Sequence, residues 1–347
     1  MMSSFKVRFS QLDSPREQLL WLAEHRFLGV TGLLVERGLL PAEVADMARP
    51  LAVRKGLVSA VQLDEEAQVM TGFVKAGVRA LALKGCLLGH GFYPAPNQRW
   101  RADLDVLVAP DSVESARQVL GRAGYKPMWQ VAGGTPMDQE TWLRRADGRR
   151  QAVDLHWGLR NHPVLSGLFP FDEQWEQAIA LDSLGEGVMG QGPVHALINA
   201  SMHWFDDMFD QPRPLGWLLD MDLLWRSLDE PGRARLVDLA CERGVAGLLA
   251  ESLAMTRAVF DTQIPDAVIA RLTETGRSQR ATRLIKAGSN PYRAWLFALR
   301  CEPGLTGKLR RVRRSLLPPV AHMRQRYPEG SRFGLVGLYV RRVFRRM

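Results

Sequence analysis

Residues 101–108 read Arg101-Ala102-Asp103-Leu104-Asp105-Val106-Leu107-Val108. Apolar residues fill the second half and Pro110 follows, so the stretch from Asp103 to Val108 reads as a short buried strand. Side chains alternate along a strand, which puts Asp103 and Asp105 on one face and Leu104 and Val106 on the other. Two neighbouring carboxylates repel each other, and a cation between them relieves the repulsion. Such an oxygen-rich pair suits Mg²⁺, which keeps waters and takes substrate phosphates as further ligands. A strand that opens on solvent-facing caps would show the same letters.

Two flanking segments add weight to the cation reading. Upstream, Leu81-Ala82-Leu83 runs into Lys84-Gly85-Cys86, a strand, a turn and the start of a helix. Glycine there lets backbone approach a phosphate, and the helix start offers unpaired N–H groups and a positive dipole end. Downstream, Gln151 to Trp157 alternates as a strand and carries Asp154 among apolar neighbours. A buried carboxylate needs a metal or a partner, and Arg101 or Arg150 could be that partner. His156 shares the face of Asp154 and is suited either to a phosphate or acceptor contact or to a structural hydrogen bond.

Taken together, Lys84-Gly85, Arg101, Asp103-Leu104-Asp105 and Asp154-Leu155-His156-Trp157 resemble the polymerase-beta-type nucleotidyltransferase superfamily. The nearest likeness is to a branch of bacterial nucleotidyltransferases with that Lys-Gly, Asp-Leu-Asp, Asp-Leu-His-Trp pattern. The resemblance extends over 193–225, through His203 and Trp217-Leu218-Leu219-Asp220, and to Leu317-Pro318-Pro319 and Arg326-Tyr327-Pro328. It implies an α+β fold, a small mixed-sheet core surrounded by N- and C-terminal helices. It implies that Asp103, Asp105 and Asp154 are catalytic and hold Mg²⁺ (or Mn²⁺), and that Lys84, Gly85, Cys86 and Arg101 contact the nucleotide. It also implies an NTP substrate, with ATP one candidate. The chain departs from the superfamily's usual Gly-Gly or Gly-Ser turn, since Cys86 cannot reproduce a serine hydroxyl's phosphate contact, while Lys84 could supply charge.

Around these motifs the chain divides into a helical region over 1–78, a nucleotidyltransferase core over 79–160, a second helical region over 161–299 and a basic tail over 300–347. Ser14-Pro15-Arg16-Glu17 looks like a helix start, Pro41 opens a helix, and 58–76 repeats the helical period. Asp111 or Ser112 caps a helix that Gly124 stops, and 125–131 and 140–145 are weaker strands. Helical periods recur over 193–209, 214–228 and 233–257.

At 347 residues, 46% hydrophobic and 24% charged, the chain has the composition of a globular protein with a large core. Its three cysteines, Cys86, Cys241 and Cys301, lie far apart, which excludes a disulfide framework and fits a reducing, cytoplasmic setting. The first residues lack the apolar run of an export signal, and no stretch is apolar enough to span a bilayer. The net charge of +9 is local. Residues 300–347 hold 13 basic and 2 acidic residues, a net of +11, so the remainder is −2. Phe333 to Arg346 is amphipathic and cationic, which suits a membrane surface or an acidic partner; nucleic acid is the weaker option, since aromatics for base stacking are sparse. A helix packed on the body with solvated arginines fits equally.

Other residues have ordinary readings. His195 and His203 share a helical face and suit core or capping roles more than metal binding. Gly133-Gly134 reads as a turn, and Asp206, Asp207, Asp220 and Asp222 as helix-surface acids, with Asp220 at the cleft by analogy. The functional expectation is transfer of a nucleoside monophosphate from an NTP to a small-molecule, protein or RNA acceptor. A DxD glycosyltransferase, or a catalytically silent binding protein on the same fold, are the alternatives.

Overall fold

A computed structural model of the chain describes residues 5–128, 138–146, 149–159, 165, 167–206, 214–286, 291–302, 304–316, 320, 323, 334 and 337–339. Four helices lead in: α1 (Phe5–Phe9), α2 (Pro15–Glu24), α3 (Thr31–Glu36) and α4 (Ala42–Lys75). Helix α2 starts on a reciprocal cap in which Ser14 accepts from the Glu17 N–H and Glu17 accepts from the Ser14 N–H. The helices expected to begin at Pro41 and to run over 58–76 are one continuous helix, α4, which passes through Pro50. Its buried face, including Val69, Met70 and Phe73, backs the sheet.

The central block alternates strand and helix: β1 (Ala80–Ala82), α5 (Lys84–Gly91), β2 (Leu104–Val108), α6 (Val113–Arg122), β3 (Lys126–Pro127), β4 (Gln139–Ala146) and β5 (Arg149–His156). Helix α6 buries Val113, Ala116, Val119 and Leu120 as one stripe, and Gly124 ends it in the left-handed conformation (φ 84°). Beyond it come α7 (Phe171–Glu176), β6 (Ile179–Ala180) and β7 (Met189–Gly190). The seven strands form one mixed sheet in the order β3-β4-β5-β2-β1-β7-β6, so the chain has the expected α+β fold. Strands β6 and β7 lie in the region read as helical. At two residues each they are too short to leave a period in the sequence.

The remaining helices are α8 (Pro193–Asp206), α9 (Gly216–Ser227), α10 (Glu230–Glu242), α11 (Ala246–Phe260), α12 (Asp266–Gly276), α13 (Arg280–Lys286), α14 (Pro291–Cys301) and α15 (Gly304–Leu316). The helical stretch expected over 233–257 is two helices, because Gly244 turns left-handed between them (φ 73°). One core cluster runs from Phe5 through β2 and β5 to Leu272 and Ala281, so both helical regions share a core with the sheet. Gly133-Gly134, Asp207 and most of Phe333 to Arg346 lie outside the described residues, as do Leu317-Pro318-Pro319 and Arg326-Tyr327-Pro328.

Candidate active site

The parallel pairing of β2 with β5 sets Asp105 directly beside Asp154 and Leu107 beside His156. Asp103 lies one residue before β2, near both carboxylates. Asp105 is almost wholly buried, at 4% exposure, and its Oδ1 receives two groups: Lys84 Nζ at 2.6 Å and His156 Nε2 at 2.9 Å. Thr141 Oγ1, from the adjacent strand β4, donates to Asp154 Oδ1 at 2.6 Å.

The electrostatics separate the acids. Burial would raise the Asp105 carboxyl, but the hydrogen bond from His156 and the charge of Lys84 hold it below its ordinary value. Asp103 is pushed up to about 6, first by burial and then by the charges of Asp105 and Asp154, with Lys84 and Arg26 pulling the other way. The part of the rise that Asp105 and Asp154 add to burial reflects negative charge at the site, which a cation would relieve. One ligand atom each from Asp105, Asp154 and His156 lies within 4.8 Å of the others. His156 therefore joins a close donor set at this point, besides making the structural hydrogen bond that was one of its two expected roles. The donors are two carboxylates and an imidazole, a set able to hold a divalent metal ion.

Lys84 opens α5 with a left-handed backbone (φ 47°), which no side chain but glycine's adopts freely. That conformation turns its ammonium onto Asp105. The first turn of α5 has no capping side chain, so its N–H groups are available to an acceptor. Gly85 also makes room for a side chain. A Cβ there would stand 2.9 Å from Arg101 Cβ and 3.0 Å from its Cδ. At Gly89 a Cβ would meet Arg101 Nη1 at 2.8 Å. The two glycines clear a path along which Arg101 crosses α5. Its guanidinium grips Glu66 of α4 through Nε at 2.6 Å and through Nη2, and Nη1 donates to the carbonyls of Pro96 and Arg99. Arg101 is thus engaged away from the aspartates. Cys86 is fully buried beside Glu66, and burial first, then Glu66, pushes its thiol well up. Glu66, Cys86 and His90 form a second close donor set, but the guanidinium already supplies the positive charge there.

Asp220 and Asp222 are fully buried, contrary to their reading as surface acids. Each is matched by cations, which is how a buried carboxylate is tolerated. Arg99 holds Asp220 with two bonds of 2.8 and 2.7 Å and Tyr93 donates at 2.6 Å. Asp222 accepts from Arg37, from Arg226 at 2.9 Å and from Thr262 at 2.6 Å. His195 lies 3.0 Å from Glu173, and His203 stacks on Trp217 with planes 9° apart. A cleft of about 290 Å³ opens beside β2 and β5. Leu104 and Val153, which alternate with the aspartates, line it together with Glu65 and Arg149. A much smaller cavity opens beside Lys84 among Gln191, Asn199, His203 and Trp217. Sequence reasoning missed Glu66, Thr141 and Arg26, whose positions follow from tertiary packing and carry no local motif.

A family model described as an uncharacterised nucleotidyltransferase matches residues 17–261, well over half of the chain. The chain belongs to that family. No curated protein matches the sequence.

Proposed function

We propose that this family member is a metal-dependent nucleotidyltransferase that moves a nucleoside monophosphate from an NTP to a hydroxyl-bearing acceptor. The observation that carries the reading is the pairing of Asp105 with Asp154 across β2 and β5, which draws them and His156 into one close donor set just beyond Asp103. Asp105, Asp154 and His156, with Asp103 beside them, would hold Mg²⁺ or Mn²⁺. The bound ions supply charge against the triphosphate and acidify the acceptor hydroxyl. Lys84 and the first-turn N–H groups of α5 receive phosphate oxygens, Gly85 and Cys86 contributing through backbone alone. Asp154, fixed by Thr141, is oriented to take the acceptor's proton. Arg101 acts at a distance, by fixing α5 against α4.

One observation favours a second reading, a catalytically silent binding protein. Lys84 and His156 already satisfy Asp105, as a permanent replacement for a cation would. Incubating the protein with Mg²⁺, each α-³²P-labelled NTP and cell extract separates the two. Transfer to an acceptor or to the protein itself, lost by roughly a hundredfold or more in Asp105→Asn and Asp154→Asn, supports catalysis. Transfer from a UDP-sugar instead would make the chain a glycosyltransferase, and neither transfer nor metal-dependent NTP binding would leave the silent reading.

The tail supports a peripheral membrane setting for a protein otherwise expected in the cytoplasm. No described helix is long and apolar enough to cross a membrane. Helix α15 instead exposes Leu305 (78%) and Leu309 (68%) one turn apart, amid Lys308 and Arg313. Sedimentation with anionic vesicles, lost when 300–347 are removed and absent with neutral vesicles, is the expected result.

A further inference from the structure

We propose that the cleft beside β2 and β5 is a second binding site, built for a small zwitterion: a free amino acid with an apolar side chain. The inference stands apart from the nucleotidyltransferase reading above, and neither depends on the other. Leu104 and Val153 line the cleft, and they alternate with Asp105 and Asp154 along their strands, so they face away from the donor set. At about 290 Å³ the cleft lies at the floor of the roughly 300–1,000 Å³ range of small-molecule sites, which suits a ligand smaller than an NTP.

The lining brings three kinds of group together. Leu104 and Val153 make an apolar floor, and Val61 of α4, 42% exposed, carries it out to solvent. One helical turn beyond Val61, α4 presents Glu65 to the same cleft. Its partner Arg144 stands off at 3.7 Å, because that guanidinium already donates through Nε to Gln151 Oε1 at 2.7 Å and through Nη1 to the Ala123 carbonyl at 3.1 Å. Glu65 is therefore loosely paired where burial raises its carboxyl above the ordinary value, and an ammonium would complete the pairing. Strand β5 supplies the opposite charge. Arg149 lines the cleft two residues before Gln151, on the same strand face and roughly 7 Å along it. Arg144 bridges Gln151 to Glu65, so Glu65 and Arg149 bound one small space from α4 and from β5. Arg150 adjoins Arg149 in the lining, and neither arginine forms a salt bridge with a described residue. A guanidinium fork takes a carboxylate in two parallel bonds. An amino acid carries ammonium, carboxylate and side chain on one carbon and so answers all three groups at once. A peptide end offers one charge only, and a phosphate ester would set like charge against Glu65.

The test is calorimetric titration of the full chain with leucine, phenylalanine and glycine, and with two truncated forms of leucine: isocaproate, which lacks the amine, and isoamylamine, which lacks the carboxylate. Wild type should bind leucine and phenylalanine, with glycine and both truncated forms weaker by roughly 10- to 100-fold. Glu65→Gln should weaken leucine by a similar factor and leave isocaproate unchanged or tighter. The double variant Arg149→Ala, Arg150→Ala should weaken leucine and leave isoamylamine unchanged. Thermal melting without ligand checks that both variants fold, and the analogue series on wild type tests the inference without them. No binding of leucine or phenylalanine to wild type overturns the inference. Isocaproate binding as tightly as leucine also overturns it, since Glu65 then contributes nothing. Unchanged leucine affinity in both folded variants places the ligand elsewhere and overturns it too. Each of these results leaves the nucleotidyltransferase reading intact.

Discussion

Asp103 shows most directly how the site trades stability for charge. Its folded pKa, about 6, lies above the ordinary 3.8, so folding favours its protonated form. Its ionisation therefore removes stability as pH rises from about 4 through 6, and at pH 7 the penalty is fully present. With partial solvent screening that penalty is on the order of 2 kcal/mol. Asp103→Asn, measured without metal at pH 7, should raise the melting temperature and abolish transfer. The advantage of the variant should vanish when both proteins are melted at pH 4. His25 behaves in the opposite sense. Burial, and secondarily Arg8, lowers it to about 4 from 6.5, so the fold excludes its charged form. Stability tied to His25 is complete above pH 6.5 and is lost as pH falls toward 4, by about 2–3 kcal/mol in all. Denaturant titrations of wild type and His25→Gln over that window should differ in slope against pH, and parallel slopes would show that His25 stays uncoupled from folding.

At the scale of elements, α5 ties the site to the rest of the protein. Its first residue holds Asp105, and its glycines let Arg101 pass to Glu66 on α4. Gly85→Ala would drive a methyl group into the Arg101 side chain, and overpacking of this kind costs about 1–3 kcal/mol. Urea unfolding should show that loss, and because α5 also carries Lys84, NTP binding should weaken with it. A variant of wild-type stability would mean that Arg101 has another path. The sequence showed the strands that carry chemistry, because Asp103-Leu104-Asp105 and Val153-Asp154-Leu155-His156 alternate cleanly. It could not show β6 and β7, whose two residues each are defined only by partners in the sheet. Nor could it show that α4 runs unbroken through Pro50, since the residues packed on a helix outweigh one missing N–H.

Across the whole molecule, chemistry and charge occupy separate places. The carboxylates sit in the part matched by the family, 17–261, which is acidic with a net charge of −8, while the +11 of residues 300–347 lies beyond it. The acidic motif was legible because strand alternation and carboxylate repulsion are local properties. The cations that complete the site were legible only in part. Lys84 adjoins a motif, whereas Arg26, whose charge also acts on Asp103, is far from it in sequence. Asp220 and Asp222 were misjudged for the same reason: a helix position is buried or exposed according to what packs on it, here Arg99 and Arg37. The central claim is that Asp103, Asp105 and Asp154 together hold the metal that engages an NTP. Calorimetric titration of Mn²⁺ into the protein with a non-hydrolysable NTP analogue tests it directly. Wild type should bind the metal with the nucleotide, and Asp105→Asn and Asp154→Asn should each lose that binding while remaining folded. Undiminished Mn²⁺ binding in folded variants of both would contradict the account.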